Sequence, residues 1–186
     1  MNLFAEYELG VLSAIQSLKC GFLDAVVPPI SFLGNAGIIW IAASLALMCF
    51  KKTRRMGVTV AAALIISLVL NNFALKNIVA RARPFQIDPS IELLISPPGE
   101  YSFPSGHTLT GFAAATAMFY YRPRIFGAAA FALSAILGFT RLYLRVHFLS
   151  DVIGGAITGV FFGFLAIAAV NAIYGYMEKR RAAAKE

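Results

Sequence analysis

Charge is scarce in this 186-residue chain. Charged side chains make up 13% of it and hydrophobic ones 59%. A soluble domain of this size needs far more polar surface to cover its core, so that class is excluded. Cysteine is scarcer still. Cys20 and Cys49 stand alone, which excludes a disulfide framework and a cysteine-based metal motif; they read as packing residues. Histidine occurs only twice, as His107 and His147. Both lie beside polar residues at the edges of oily segments, a placement that calls for a reason. The opening "MNLFAEYELG" has two glutamates and no basic residue, so no cleaved signal is expected.

What is abundant is uncharged length. Ala25–Phe50 runs 26 residues without a charge, Met56–Leu75 runs 20 and Val152–Met177 runs 26. Each suffices to cross a hydrocarbon core about 30 Å thick. Ser102–Tyr121 holds only His107, and Ile125–Thr140 is free of charge and continues past Arg141. These runs predict an all-α polytopic membrane bundle of about five transmembrane helices, in a single domain over residues 1–186. Phe4, Tyr7, Val11, Ile15, Leu18 and Phe22 follow steps of three and four, with Glu6, Glu8, Ser13, Gln16 and Ser17 mostly elsewhere. Residues 1–22 therefore read as an interfacial amphipathic helix, the sixth in all. The alternative is a sixth, tilted span.

The net charge of +7 raises nucleic acid as a partner, but its distribution points to a membrane instead. "KKTRR" (51–55), "RPR" (122–124), and "EKRR" with Lys185 follow alternate runs. The positive-inside rule puts all three in the cytoplasm, together with the C-terminus. The N-terminus, the loop 77–104 and the connection near 145–151 then share the outer face. That face nevertheless carries Lys76, Arg81 and Arg83, and a bound anion would explain them.

Three clusters meet there. "KNIVARARP" places Lys76 six residues before Arg83-Pro84, with Pro84 expected to stop the second helix. "PSGH" (Pro104 to His107) opens the third run. Its free N–H groups, Gly106 and the Ser105 hydroxyl suit an anion. "TRLYLRVHFLSD" places Thr140-Arg141 five residues before His147 and Asp151 three residues beyond that. Alone, each has a bland reading: snorkelling cations, an ordinary helix start, a structural His–Asp pair. Together they bring three cations, two histidines and a carboxylate to one face of a membrane, where charge is costly without function or partners. Lys76, Arg83 and Arg141 can cage phosphate oxygens. Ser105 and the Gly106 N–H can stabilise a transferring phosphoryl group. One histidine can attack phosphorus and the other can protonate the leaving oxygen, while Asp151 orients the attacking ring.

In their order and spacing these clusters resemble the signature of the type 2 phosphatidic-acid phosphatase family: K-x6-R-P, P-S-G-H and S-R-x5-H-x3-D. Thr140 stands where that pattern has serine, and the motifs span residues 76–151. The resemblance implies an all-helical membrane phosphatase working without metal or other cofactor. It implies His147 as the nucleophile assisted by Asp151, and His107 as the general acid. Lys76, Arg83, Ser105, Gly106 and Arg141 become the phosphate binders. The implied substrate is a lipid phosphate or diphosphate in the plasma membrane, met on the extracytoplasmic side. Undecaprenyl diphosphate is expected, because the chain is small and its site faces outward. Phosphatidylglycerol phosphate or phosphatidate is the alternative. A transporter or scaffold is the alternative of another class, though no internal repeat supports the first and the histidines stay unexplained by the second.

Several further residues carry expectations. Gly155, Gly159 and Gly163 predict close packing of the fifth helix within the chain, with a homodimer seam as the alternative. "SFLGNAG" (31–37) predicts a loosened or kinked first span. Asn71 and Asn72 are expected to bond neighbouring helices, with a site role as the alternative. Arg81 and Arg145 are expected at a second phosphate, at lipid headgroups or as interfacial anchors. Asp88, Glu92 and Glu100 are expected in solvent, with positioning of a headgroup as the alternative.

Overall fold

The computed structural model describes residues 3–121 and 123–184, the first two of these by backbone alone. The Phe4 side chain, Arg122 and Lys185, used above in reading the stripe and the charge pattern, lie outside the described residues. All the described regular structure is helical: α1 (Leu3–Gln16), α2 (Gly21–Leu33), α3 (Ile38–Cys49), α4 (Arg54–Leu70), α5 (Lys76–Val79), α6 (Pro84–Ile87), α7 (Gly106–Tyr120), α8 (Ile125–Tyr143) and α9 (Leu149–Ala183).

By length and apolar composition, three stretches can cross a membrane: Arg54–Ile87, Ile125–Tyr143 and Leu149–Ala183. Five spans were expected; by this measure there are three among the described residues, or four if α1 and α2, bent by 117°, form one broken span, with α3 a shorter apolar helix. Two of the expected runs, those of α2–α3 and α7, differ from simple rods. The first breaks between α2 and α3, where Ala36 (φ 50°) and Gly37 (φ 71°) take left-handed conformations. This is the kink that "SFLGNAG" predicted. The third, α7, is only 15 residues long, about 22 Å at 1.5 Å per residue. It is the hub of the bundle rather than a lipid-facing rod. Leu109, Ala113, Ala114, Ala115 and Ala117 are all fully buried. Small side chains let neighbours close in on every side.

The glycine stripe of α9 shows how. A Cβ on Gly155 would stand 2.8 Å from the Ser105 carbonyl oxygen, and one on Gly159 would stand 2.4 Å from that of Leu109. One on Gly163 would reach Thr116 at 2.6 Å. The stripe therefore serves packing within the chain, α9 against α7.

The expected N-terminal helix ends at Gln16 as α1, short of residue 22, and bends by 117° into α2, so that Leu18 lies between the two and Phe22 in α2. Tyr7, Leu18 and Phe22 are exposed, whereas Glu8 and Leu12 are buried against the bundle. Tyr7 on this stripe looks outward, Ile15 packs against the core, and one carboxylate looks in.

Pro84 does not stop the second helix. That helix runs through a π-helical turn (Asn71–Leu75) into α5 and ends at Ala80, which is left-handed (φ 45°). Pro84 instead occupies the first turn of α6, where a missing N–H costs nothing.

Candidate active site

Four helix ends converge: the end of α4–α5, the start of α7, the end of α8 and the start of α9. Lys51–Arg55, Arg124 and Lys179–Arg181 sit at the opposite ends of these helices. A cavity of about 990 Å³ opens among the converging ends. Lys76, Arg83, Gly106, His107, Arg141 and His147 line its polar part, and Ile41, Leu45, Leu64, Ile65 and Leu68 of α3 and α4 line its apolar part.

His147 is 2% exposed. It precedes α9, whose N-cap is Phe148, so the His147–Asp151 approach is not the one-turn pairing of a helix that the spacing suggests. Asp151 instead sits in the first turn and reaches back across the helix start. Its Oδ2 accepts the Phe148 N–H at 2.8 Å, capping α9, and lies 3.5 Å from His147 Nδ1. The Ser102 hydroxyl donates to the same oxygen. On the other side of the ring, Nε2 lies 3.3 Å from Arg83 Nη1, toward the cavity. Burial pushes the pKa of His147 down to about 4; Asp151 pulls it up and the cations Arg83 and Arg141 push it further down. At neutral pH the ring is therefore an uncharged imidazole.

Arg83 is held like a jig. Nε donates to the Glu100 carbonyl at 2.7 Å and Nη1 to the Val146 carbonyl at 2.7 Å. Lys76 is buried and ion-paired with Glu100, which is exposed as expected yet still reaches the site. Lys76 keeps the Glu100 carboxyl below its usual range.

Arg141, at the end of α8, donates to Ser31 Oγ at 2.6 Å, and its buried Nε has no partner. His107 Nε2 stands 3.1 Å from the Ser31 carbonyl. A carbonyl only accepts, so Nε2 carries a proton. Ser31 thus ties α2 to both site residues from beside the kink.

Six of the eight expected site residues line one cavity. Asp151 stands behind His147, as an orienting group must. Ser105 departs from expectation. It is the N-cap of α7, fully buried, with Oγ accepting from Thr108 at 3.2 Å, and it does not line the cavity. Asn71 and Asn72 follow the alternative reading: they line the cavity rather than bonding neighbouring helices, and buried Asn71 Oδ1 has no partner. Arg81 is not free for a second phosphate, being bound to Glu8, Ser150 and Asp151. Ser31, Ser102, Glu8 and the Glu100 contact escaped the sequence reading. Single serines and glutamates carry no spacing signal. Among the described residues no three of His, Cys, Asp and Glu gather as metal ligands would.

These features define a multi-pass helical membrane protein whose converging helix ends gather three cations around two histidines. The chain belongs to the PAP2 superfamily, which matches residues 54–174. It is 31% identical over 138 residues to an undecaprenyl-diphosphatase of Sulfolobus acidocaldarius, covering 73% of this chain and 66% of that one. It is 24% identical over 194 residues to a lipid A 4'-phosphatase of Porphyromonas gingivalis, covering 97% and 78%. The crystal structure of Aquifex aeolicus LpxE superposes with a TM-score of 0.76 at 26% identity, covering 87% of this chain and 95% of that one.

Proposed function

We propose that the chain is a membrane lipid phosphatase that removes the terminal phosphate of a polyprenyl diphosphate, undecaprenyl diphosphate in particular. The observation that carries this is His147. Its Nδ1 is turned to a buried carboxylate and its Nε2 to an arginine, at the cationic end of a cavity whose other end is apolar. Such a cavity suits a charged head on an oily chain.

Nε2 of His147 attacks the terminal phosphorus in line. A P–N bond forms, and the P–O bond to the lipid phosphate breaks. Asp151 stabilises the ring as it gains charge. Lys76, Arg83, Arg141 and the N–H groups at the start of α7 hold the equatorial oxygens. His107, as the imidazolium, gives a proton to the leaving oxygen and becomes neutral. Water then attacks the phosphohistidine, losing its proton to His107, and the P–N bond breaks to release phosphate. The positive side chains supply the charge that a metal supplies elsewhere. Ser105 stands at the N-cap position of α7, where its carbonyl accepts the Leu109 N–H and its hydroxyl accepts from Thr108.

The basic clusters lie at the helix ends remote from the site, so the positive-inside rule turns the site outward in a plasma membrane, with the C-terminus cytoplasmic. The likeness to a lipid A 4'-phosphatase over nearly the whole chain supports a second reading, a phosphate ester on a saccharide lipid.

The test is phosphate release from the purified protein with EDTA present. Undecaprenyl diphosphate, phosphatidylglycerol phosphate, phosphatidate and lipid A are compared by kcat/KM. The diphosphate should lead. Preference for lipid A overturns the substrate assignment, and no release from any overturns the enzyme. Loss of activity to EDTA, restored by Mg²⁺, overturns the metal-free mechanism.

A further inference from the structure

Helix α1 sends one carboxylate into the protein, from outside the segment that matches the family. Glu8 is 2% exposed. A buried carboxylate is costly unless it is paired and hydrogen-bonded. Glu8 meets both conditions: it is ion-paired with Arg81, and its Oε1 accepts the Ser150 N–H at 3.0 Å. Arg81 donates from Nη1 to Asp151 Oδ1 at 2.6 Å and to Ser150 Oγ at 2.6 Å. Its guanidinium lies 4.2 Å from the centre of the Phe148 ring. The two oxygens of Asp151 therefore have separate duties. Oδ1 belongs to Arg81, while Oδ2 serves Phe148, Ser102 and His147.

An arginine on Oδ1 fixes the plane of the carboxylate, but it also offsets the charge that His147 needs. Glu8, on the same guanidinium, returns that charge. Glu8, Arg81 and Asp151 together carry one net negative charge beside the ring, where Arg81 and Asp151 alone would carry none. We infer that Glu8 and Arg81 are positioning residues of the reaction. Arg81 aims Asp151 Oδ2 at His147, and Glu8 cancels Arg81 so that Asp151 still favours the ring as it turns cationic. This rests on the proposed role of His147. The other charged groups acting on that ring are Arg83, Arg141, Glu100 and His107, and the variants below leave all of them in place.

The test uses the full chain in detergent and a short-chain prenyl diphosphate, with kcat and KM measured across pH. Glu8→Gln is nearly isosteric and leaves Arg81 unopposed. Its kcat should fall about tenfold with KM little changed, the scale on which groups behind a first partner act. The acid limb should move to lower pH, because a cationic ring is less favoured. Arg81→Gln should move that limb to higher pH. The double variant, again with one net negative charge, should return it close to the wild-type position, and Glu8→Asp should leave it there. A tether that only pins α1 to the bundle would move the limb in neither single variant, or in the same direction in both. Either result overturns the inference, as does a Glu8→Gln enzyme with wild-type kcat. If Arg81→Gln does not fold, Glu8→Gln and the double variant decide. His147→Ala in the same assay separates the two levels. If it turns over, the His147 reading fails and this inference with it; if it is dead while Glu8→Gln is unaffected, only this inference fails.

Discussion

Gly34→Ala is a mutation outside every motif that should strike the chemistry. Gly34 follows α2 at the kink with φ −84° and ψ −10°, which alanine adopts freely. Yet a Cβ there would stand 2.4 Å from His107 Cδ2 and 3.2 Å from its Nε2. Non-bonded carbons pack at about 3.5–4.0 Å, so the ring must retreat by roughly 1 Å. That breaks the 3.1 Å tie to the Ser31 carbonyl. A misplacement of about 1 Å costs on the order of 10²-fold in rate. The assay is kcat/KM on a prenyl diphosphate and on an aryl phosphate, with a melting curve to show that the protein is folded. The loss should be about 10²-fold on the diphosphate and much smaller on the aryl phosphate, whose leaving group needs little protonation. Gly21→Ala, where an added Cβ meets nothing within 4 Å, is the control and should be neutral. A folded Gly34→Ala enzyme within about threefold of wild type on the diphosphate would refute the reasoning. An equal loss on both substrates would make His107 a phosphate binder rather than an acid.

Three other outcomes are expected. Asp151→Asn keeps an oxygen for the Phe148 N–H but loses the charge, so kcat should drop by about 10³–10⁴ in a protein whose helical circular dichroism is unchanged. With the His147 pKa pushed down to about 4, its electron pair is free at neutral pH. Activity should fall on acidification well below pH 6.5 in the kcat/KM profile; a limb at or above that value would mean that Asp151 outweighs burial. Gly159→Leu drives a side chain into the Leu109 carbonyl and should destabilise the protein by about 1–3 kcal/mol or more, read as a lower melting temperature in detergent. Gly175→Leu, with nothing within 4 Å of its Cβ, should not.

The spans were legible because an uncharged run in a membrane protein has few meanings, and the kink was legible because two glycines and an asparagine interrupt one such run. The six cavity-lining residues were legible because each lies in a motif of fixed spacing. What stayed hidden was long-range. Glu8 looked like part of a polar face; it is inward because Arg81, 73 residues away in sequence, needs a counter-charge. Ser31 and Ser102 are single hydroxyls whose partners, Arg141 and Asp151, lie 110 and 49 residues away. Ser105 was assigned a phosphate by its neighbours in "PSGH", yet the backbone turn that starts α7 directs it inward. Pro84 was read as a stop, although the same ring suits a helix start equally well.

The central claim is that His147 becomes covalently phosphorylated. The most direct measurement is rapid acid-free quenching of the enzyme with substrate labelled in its terminal phosphate, followed by mapping of the labelled peptide. The account predicts label on His147, stable in base and lost in acid as a phosphoramidate is, retained in His107→Ala and absent from His147→Ala. Label on another residue, or turnover by His147→Ala, would contradict it.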